Sequence, residues 1–276
     1  MGSEADFAAL LAQLHRGPVE WVRVVQVRGS APREVGAWLA LGPAGLVGTI
    51  GGGHLEWQAL QRAQRRLAAD PAPEPETVRY PLGPALGQCC GGVVWLRYER
   101  LADPEAAQAR RAELVAPAVP LALLGGGHVA RALVAALAPL PFALTWLDER
   151  NPQALALLPE VAGGRQPEQA DPLPEAVADL APGSAVLIMT HRHDLDLAIV
   201  QACLQRRRMR ADLPFIGLIG SQSKWSSFQR RLRAHGWREE ELQAVTCPLG
   251  LPGIRGKQPA VMAASIVAQL LQTVYT

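Results

Sequence analysis

The chain has 276 residues, of which 49% are apolar, and its 27 basic and 25 acidic side chains leave a formal net charge of +2. This length allows two domains with cores of their own, and the near-balance of charge argues against a nucleic-acid surface. Residues 1–20 lack the basic start and apolar core of a secretion signal, and no segment approaches the roughly 20 apolar residues of a membrane span, so we expect a cytoplasmic protein.

The N-terminal third has the pattern of a small α+β unit. An amphipathic opening segment predicts a helix, and EWVRVVQVR predicts a strand. Pro43 and Gly45 close a predicted hairpin, and the tetrapeptide GGGH at 51–54 joins its second strand to a predicted helix. Two further strands, TVRYPL and GVVWLRY, flank the turn GPALGQCCGG. We predict an N-terminal α+β accessory domain over residues 1–105 and a linker over 106–119.

The remaining chain, residues 120–276, repeats a pattern of strand, turn and helix. LALLG, FALTWLD, AVLIMT and FIGLIG are short apolar runs typical of buried parallel strands, and predicted helices follow most of them. The alternation indicates an α/β fold, a Rossmann-like, doubly wound parallel sheet. Ligands of such sheets bind at the carboxyl ends of the strands.

A second GGGH, at 125–128, stands directly between a predicted strand and a predicted helix. Gly125, Gly127 and Ala130 fit the pattern G-x-G-x-x-G/A, and Asp148 ends the next strand, where an acid accepts from ribose hydroxyls. Glycines let backbone N–H groups approach a phosphate at the helix N-terminus, so we expect an anion near Gly125 to His128. The alternative is a turn kept only for strand–helix packing.

Two histidines follow the strand AVLIMT. Thr190, His191 and His193 stand where a doubly wound sheet holds its ligand. The two histidines at i and i+2 face the same side of an extended segment, yet no third metal ligand follows at a familiar spacing. The segment therefore indicates a ligand contact, a metal site or a helix start capped by Asp194.

Lysine occurs twice in the chain, as Lys224 and Lys257, and arginine supplies the other basic side chains. Both lysines follow glycine-containing turns, GSQSK and GIRGK, where a phosphate or carboxylate would favour a compact ammonium. Ser221 adds a hydroxyl to the first of these turns. The alternative is that two lysines survive by chance.

The N-terminal unit has candidate residues of its own. Arg33 and the turn containing Gly52, Gly53 and His54 are predicted to face one cleft, with Glu56 capping the following helix. Cys89 and Cys90 are adjacent, and consecutive cysteines rarely meet the geometry of an unstrained disulfide. An exposed thiolate there could ligate a soft metal or carry sulfur, and the alternative is a packed turn thiol.

Taken in order, several of these motifs resemble the XdhC/CoxI family of xanthine dehydrogenase accessory factors. The resemblance covers nearly the whole chain and is carried by GSAPREVGAWLAL, GTIGGGHLE, LGQCCGG, LLGGGHVARAL, TWLDER, THRHDLDLA, FIGLIGSQSKWSSFQRRL and CPLGLPGIRGKQPAVMAASI. It implies a cytoplasmic protein that binds molybdenum cofactor, protects it during sulfuration, and helps insert it into molybdenum hydroxylases such as xanthine dehydrogenase. Many members have a cysteine where this chain has His54.

The resemblance implies an accessory factor rather than an enzyme, with molybdopterin as bound cargo. The pterin phosphate is expected near Gly125 to His128, or near Lys224 and Lys257, and the molybdenum near Cys89, Cys90 and His54. The expected partners are a molybdenum hydroxylase, a cysteine desulfurase and a second copy of the chain, with neither nucleic acid nor membrane. Two alternatives stay open, namely an NAD(P)-dependent oxidoreductase using Gly125, Gly127 and Asp148, and a cofactor-free scaffold for hydroxylase assembly.

Overall fold

The structure, a computed structural model, describes residues 1–83, 91–158, 160–161 and 164–274. It divides into two compact units, Met1–Pro117 and Ala118–Thr276. Within the described residues, no helix is both long and apolar enough to cross a bilayer.

The N-terminal unit is built on an antiparallel sheet. Its strands pair in the order β3-β2-β1-β5-β4. The elements in chain order are α1 (Glu4–Leu14), β1 (Val19–Arg28), β2 (Trp38–Gly42), β3 (Gly45–Gly48), α2 (Gly53–Ala68), β4 (Glu76–Pro81), β5 (Val93–Leu101), α3 (Pro104–Ala109) and α4 (Arg111–Leu114). The hairpin predicted around Pro43 is the β2–β3 pair, with Leu41 opposite Leu46.

Two helices cover the two faces of this sheet. Successive side chains of a strand point to opposite faces, and Trp21 and Val22 of β1 accordingly belong to different cores. Phe7, Leu10 and Leu14 of α1 pack on the face of Trp21, whereas Leu55, Ala59 and Ala63 of α2 pack on the face of Val22. This arrangement fixes the N-terminal end of α2, and with it the first GGGH turn, beside the sheet.

The segment predicted as a linker, 106–119, is mostly part of the N-terminal unit. Helices α3 and α4 lie within or next to it, and Ala107 and Leu114 are fully buried in the same core as Phe7. The carbonyl of Leu114 also accepts a hydrogen bond from Trp38 Nε1 at 2.6 Å and from Gly2 N at 2.9 Å. Ala107 and Leu114 are the fully buried apolar residues of these short helices, and two such residues are too few to show a helical period in the sequence.

The C-terminal unit is a six-stranded sheet in the order β11-β10-β9-β6-β7-β8, and its strand pairs are parallel. Its elements are β6 (Val119–Leu124), α5 (His128–Leu137), β7 (Phe142–Asp148), α6 (Pro152–Ala156), β8 (Glu168–Gln169), β9 (Ala185–Ile188), α7 (His193–Arg210), β10 (Phe215–Leu218), α8 (Gln222–Ala234), α9 (Glu239–Leu242), β11 (Val245–Thr246) and α10 (Pro259–Val274). A short 3₁₀ helix spans Glu175–Asp179.

Helices pack on both faces of the parallel sheet. Leu121 and Leu123 of β6 share a core with α5 and α10, whereas Ala122 and Leu124 share the opposite core with α7 and α8. Strands buried on both faces read as continuous apolar runs, which is why the sequence predicted them. The predicted α/β class, with a doubly wound sheet after an α+β unit, is confirmed.

Candidate functional site

The carboxyl ends of four strands bring most of the predicted residues of the C-terminal unit to one edge of the sheet. Leu124 of β6 lies in register with Leu147 of β7 and with Ile188 of β9, which in turn is opposite Leu218 of β10. The residues that follow these positions are Gly125 to His128, Asp148, Thr190 to His193, and Gly220 to Lys224. Between β6 and β9 the chain order reverses, which is where such sheets bind ligands.

The second GGGH turn requires glycine at its first position. Gly125 has φ of +117°, and a Cβ there would lie 2.3 Å from the carbonyl oxygen of Met189. The next helix, α5, starts at His128 with Gly127 as N-cap, and no side chain caps it. Its first turn contains no acidic residue. The first turn of α5 therefore supplies no carboxylate to the positive end of the helix dipole, which favours an anion, and the carboxylate that reaches the turn is that of Asp148, which accepts from the backbone of Gly126.

Asp148 faces this turn but is already paired. Its carboxylate oxygens accept from Arg150 Nε at 2.7 Å, Arg150 Nη2 at 2.6 Å and Arg150 N at 2.9 Å. Burial on its own would raise the pKa of Asp148, but the hydrogen bonds from Arg150 and from the backbone of Gly126 outweigh it and hold that pKa below its ordinary value. Asp148 is thus an ionised anchor for Arg150, and its oxygens are occupied.

Arg150 is a residue that the sequence reasoning missed. Its Nη2 lies 2.9 Å from the position that a Cβ on Gly126 would take, so the guanidinium stands directly against the glycine turn. Guanidinium groups bind phosphate through paired N–H donors. The signal was present in TWLDER, where an arginine follows two residues after the expected ribose-binding acid.

Lys224 and Thr190 form a buried network with Asp196. Lys224 Nζ donates to Asp196 Oδ2 at 2.5 Å and to the carbonyl of Ile219 at 2.9 Å. Thr190 Oγ1 donates to Asp196 Oδ1 at 2.7 Å. Asp196 is fully buried and the Lys224 side chain is only 10% exposed. Lys224 therefore ties the ends of β9 and β10 together, which leaves it poorly placed for the anion contact that its sequence context suggested.

The other candidates at this edge are more exposed. His191 is 61% exposed with Nε2 at 3.9 Å from Glu149, and His193 is the first residue of α7, with its ring edge-on to Phe228. Asp194 does not cap α7, because it pairs with Arg192, the N-cap residue.

The last two candidates at this edge are Ser221 and Lys257. Ser221 Oγ caps α8 by accepting from Lys224 N at 3.2 Å, and Lys257 is exposed in the loop before α10.

The edge also has a thiol that the sequence analysis did not single out. Cys247 follows β11, and its sulfur lies 3.5 Å from the position of a Cβ on Gly220. Burial raises the pKa of the Cys247 thiol to about 11, so it is protonated at neutral pH.

In the described part of the chain, no three His, Cys, Asp or Glu residues are grouped to hold a metal ion. Among the described residues, His191 and His193 therefore belong to no such group.

The first GGGH turn, in the N-terminal unit, has a different environment. Gly51, Gly52 and Gly53 all have positive φ, and the carboxylate of Glu56 folds back over them. Glu56 Oε2 accepts from Thr49 Oγ1 at 2.5 Å, from Ile50 N at 3.0 Å and from Gly52 N at 3.2 Å. The N-terminus of α2 thus has an anion of its own, as expected for Glu56.

The turn lies beside the loop that follows β1. A Cβ on Gly51 would approach Pro32 Cβ to 2.4 Å and Arg33 Cγ to 3.3 Å, so Arg33 and the glycines are neighbours. The Arg33 guanidinium pairs with Glu34 at 3.1 Å. At the other end of the same loop, Gly29 abuts Gly92, which precedes β5. Cys89 and Cys90 lie outside the described residues.

His54 has partners within α2. Its ring lies against that of Trp57, with the ring centroids 5.5 Å apart and the planes tilted by 33°, and its Nε2 lies 3.0 Å from Gln58 Nε2. The histidine and its two partners are on one side of the helix. They stand next to the glycine turn, on the same unit as Arg33.

Comparison with known proteins agrees with this architecture. Residues 121–270 match the family described as "XdhC Rossmann domain", and residues 13–81 match the "XdhC and CoxI family". The uncharacterized protein YqeB of Escherichia coli K12 is 29% identical over 277 residues, covering 92% of this chain, and the chain spans 43% of that protein. A crystal structure described as a xanthine dehydrogenase from Bacillus halodurans has a TM-score of 0.75 at 22% identity, covering 100% of this chain and 96% of that one, and so shares the fold. The chain belongs to the XdhC and CoxI family.

Proposed function

We propose that this protein is a maturation factor that binds molybdenum cofactor as cargo, protects it during sulfuration, and aids its insertion into xanthine dehydrogenase or a related molybdenum hydroxylase. Membership of the XdhC and CoxI family supports a role in the maturation of such enzymes. On this proposal the protein is an accessory factor and not the catalyst.

The contrast between the two GGGH turns is the observation that carries this proposal. The first turn is filled by the carboxylate of Glu56, whereas α5 has no side-chain cap and no acid in its first turn, and the carboxylate that reaches the second turn, Asp148, is paired with Arg150. Arg150 adds a fixed positive charge beside Gly126. A glycine turn, a helix N-terminus and a guanidinium together suit the phosphate of a pterin cofactor. We therefore assign the phosphate to Gly125, Gly127, His128 and Arg150.

The lysines were candidates for the phosphate, and His54 and the two cysteines were candidates for the metal. Lys224 is committed to Asp196, so of the two lysines only Lys257, exposed before α10, remains a plausible phosphate contact. For the metal end of the cargo, His54 stays a candidate together with Cys89 and Cys90. On this proposal the molybdenum is bound by its pterin dithiolene, and these side chains are its contacts on the protein.

A nicotinamide-dependent oxidoreductase is the less supported alternative. In dinucleotide sites the acid after the second strand accepts from ribose hydroxyls, but here Asp148 is 3% exposed and its oxygens are bound by Arg150. Ribose binding would have to break that pair. The proposed partners are a molybdenum hydroxylase, a cysteine desulfurase and a second copy of the chain.

The test is to purify the protein from cells that make molybdenum cofactor and to measure co-eluting molybdenum and pterin per chain. We expect near-stoichiometric amounts of both, reduced several-fold in Arg150→Gln. Arg192→Gln is the matched control, because Arg192 is an exposed, acid-paired arginine at the same edge of the sheet. Wild-type protein without molybdenum and pterin would overturn the proposal, and saturable quenching of NAD(P)H fluorescence would support the oxidoreductase instead.

A further inference from the structure

A pocket of about 460 Å³ lies in the N-terminal unit, between helix α2 and strand β4. Small-molecule sites typically have volumes of roughly 300–1,000 Å³. Trp57, Gln58, Gln61, Arg62 and Arg65 line it from the helix, and Tyr80 lines it from the strand. It is therefore large enough for a compact organic ligand and lies within one unit.

The pocket uses a face of α2 that the core does not need. Leu55, Ala59 and Ala63 form the buried stripe against the sheet, and the pocket residues follow one another along a neighbouring stripe. Trp57 is 56% exposed although tryptophan is one of the most apolar side chains. The ring of His54 stacks on it, and Gln58 holds His54 in place. The indole is thus braced and still offers aromatic surface.

The charged side chains that line the pocket are arginines. Arg62 is fixed by Glu76, with Nε to Oε1 at 2.9 Å and Nη2 to Oε2 at 2.5 Å. Arg65 is exposed, and across the described residues it has no acidic partner, since its Nε donates only to the carbonyl of Gln61 at 3.2 Å. The lining itself has two arginines and no carboxylate. This balance favours an anionic ligand.

The floor is polar and uncharged. Tyr80 is 8% exposed, and its hydroxyl lies 2.6 Å from the hydroxyl of Tyr98. Burial, followed by the hydrogen bond to Tyr80, raises the pKa of Tyr98 far above its ordinary value, so the Tyr98 phenol adds no negative charge at neutral pH. The two glutamine amides, Gln58 and Gln61, can both donate and accept along a ring edge.

We propose that this pocket binds a planar heteroaromatic molecule with an anionic group, its ring stacked on Trp57 and its anion at Arg65. Aromatic stacking supplies the main contact, and a charge-assisted hydrogen bond sets the orientation. Purine nucleotides and pterins share this chemistry. The pocket shares no residue with the phosphate site assigned to α5, and the inference does not depend on that assignment.

The test is calorimetric titration of the purified full chain with two probes, GMP and 6-carboxypterin. We expect at least one probe to bind, and Trp57→Ala to weaken it by ~10-fold or more, since stacking on an aromatic side chain is worth about 1–3 kcal/mol. Arg65→Gln is expected to weaken it by ~5–10-fold, and Trp57→Phe should retain most of the affinity. Arg16→Gln is the control, because Arg16 is an exposed arginine elsewhere on the same unit.

The two probes separate the sources of the ligand, since binding of GMP alone indicates a nucleotide and binding of 6-carboxypterin alone a pterin. If neither probe binds the wild type with Kd below about 1 mM, or if Trp57→Ala and Arg65→Gln bind like the wild type, the inference is wrong. Both side chains are exposed, so the variants should melt like the wild type, which a thermal scan checks.

Discussion

The ammonium of Lys224 lies 2.5 Å from a carboxylate oxygen of Asp196, and both groups are almost entirely removed from solvent. Removing one partner of such a pair leaves an uncompensated buried charge, which costs about 3–5 kcal/mol. We expect Asp196→Asn to lower the free energy of unfolding by about that amount. Urea denaturation measures it, and the double variant Asp196→Leu/Lys224→Met should lose less than either single change. A Lys224→Met variant as stable as the wild type would return Lys224 to the list of possible ligand contacts.

Glu56 stabilises the first GGGH turn through three hydrogen bonds. Glu56→Ala leaves the N–H groups of Ile50 and Gly52 without their acceptor, so we expect a loss of about 1–2 kcal/mol in the free energy of unfolding. Glu56→Gln keeps one acceptor oxygen and should lose less. Glu105→Ala is the control, because Glu105 is an exposed acid in the first turn of α3. Equal effects at Glu56 and Glu105 would contradict the capping role.

The glycines of the second turn should respond differently to alanine. A methyl group on Gly125 meets the backbone of Met189 at 2.3 Å and demands a positive φ, so Gly125→Ala should cost about 3 kcal/mol or more. Gly127 has φ of −72° and open space around a Cβ, so Gly127→Ala should change stability by less than about 0.5 kcal/mol. Thermal melting compares the two. If the cargo phosphate binds here, Gly127→Ala stays folded but retains less molybdenum and pterin.

The pair of Asp148 and Arg150 predicts an acid dependence of stability. The folded-state pKa of Asp148 lies below its ordinary value of 3.8, so ionised Asp148 stabilises the fold above that value. The contribution is lost as the pH falls through the lower, folded-state pKa. We expect Asp148→Asn to be less stable than the wild type at pH 7, and the difference to shrink in strong acid. Denaturant titrations at both pH values measure it, and a difference independent of pH would contradict the assignment.

Cys247 is expected to react slowly. Its pKa of about 11, against an ordinary 9.0, leaves ~100-fold less thiolate at neutral pH. Alkylation by iodoacetamide at pH 7.5, followed residue by residue with peptide mass spectrometry, should label Cys247 far more slowly than a model thiol, and faster as the pH approaches 11. Cys203, fully buried in α7, should label only after unfolding. Rapid labelling of Cys247 would make it a candidate sulfur carrier.

The sequence predicted the C-terminal sheet well because strands buried on both faces leave long apolar runs such as LALLG and AVLIMT. The same topology predicted that Gly127, Asp148, Thr190 and Lys224 meet at one edge, since parallel strands end together. The segment of α3 and α4 has helical propensity but little apolar pattern, because Ala107 and Leu114 are the buried residues of these helices, and it was therefore predicted as a linker.

Pairing between charged groups was the part that the sequence did not reveal. Lys224 and Asp196 are 28 positions apart, and a lone lysine after a glycine turn has the same appearance whether it binds a ligand or a buried carboxylate. Arg150 is different, because it stands two residues after Asp148 and its pairing is local. An arginine two residues after a predicted ribose-binding acid therefore indicates that the acid pairs with it.

The carboxylate of Glu56 on the first glycine turn bears on how the same motif is interpreted in other sequences. GGGHLE and GGGHVA differ in the second letter after histidine, glutamate in one and alanine in the other. Glutamate there accepts hydrogen bonds from the N–H groups of its own turn, whereas alanine supplies no acceptor to the first turn of α5. Two turns with the same four residues GGGH can therefore differ in whether an acid of the following helix binds their N–H groups. The second residue after the histidine indicates which is the case.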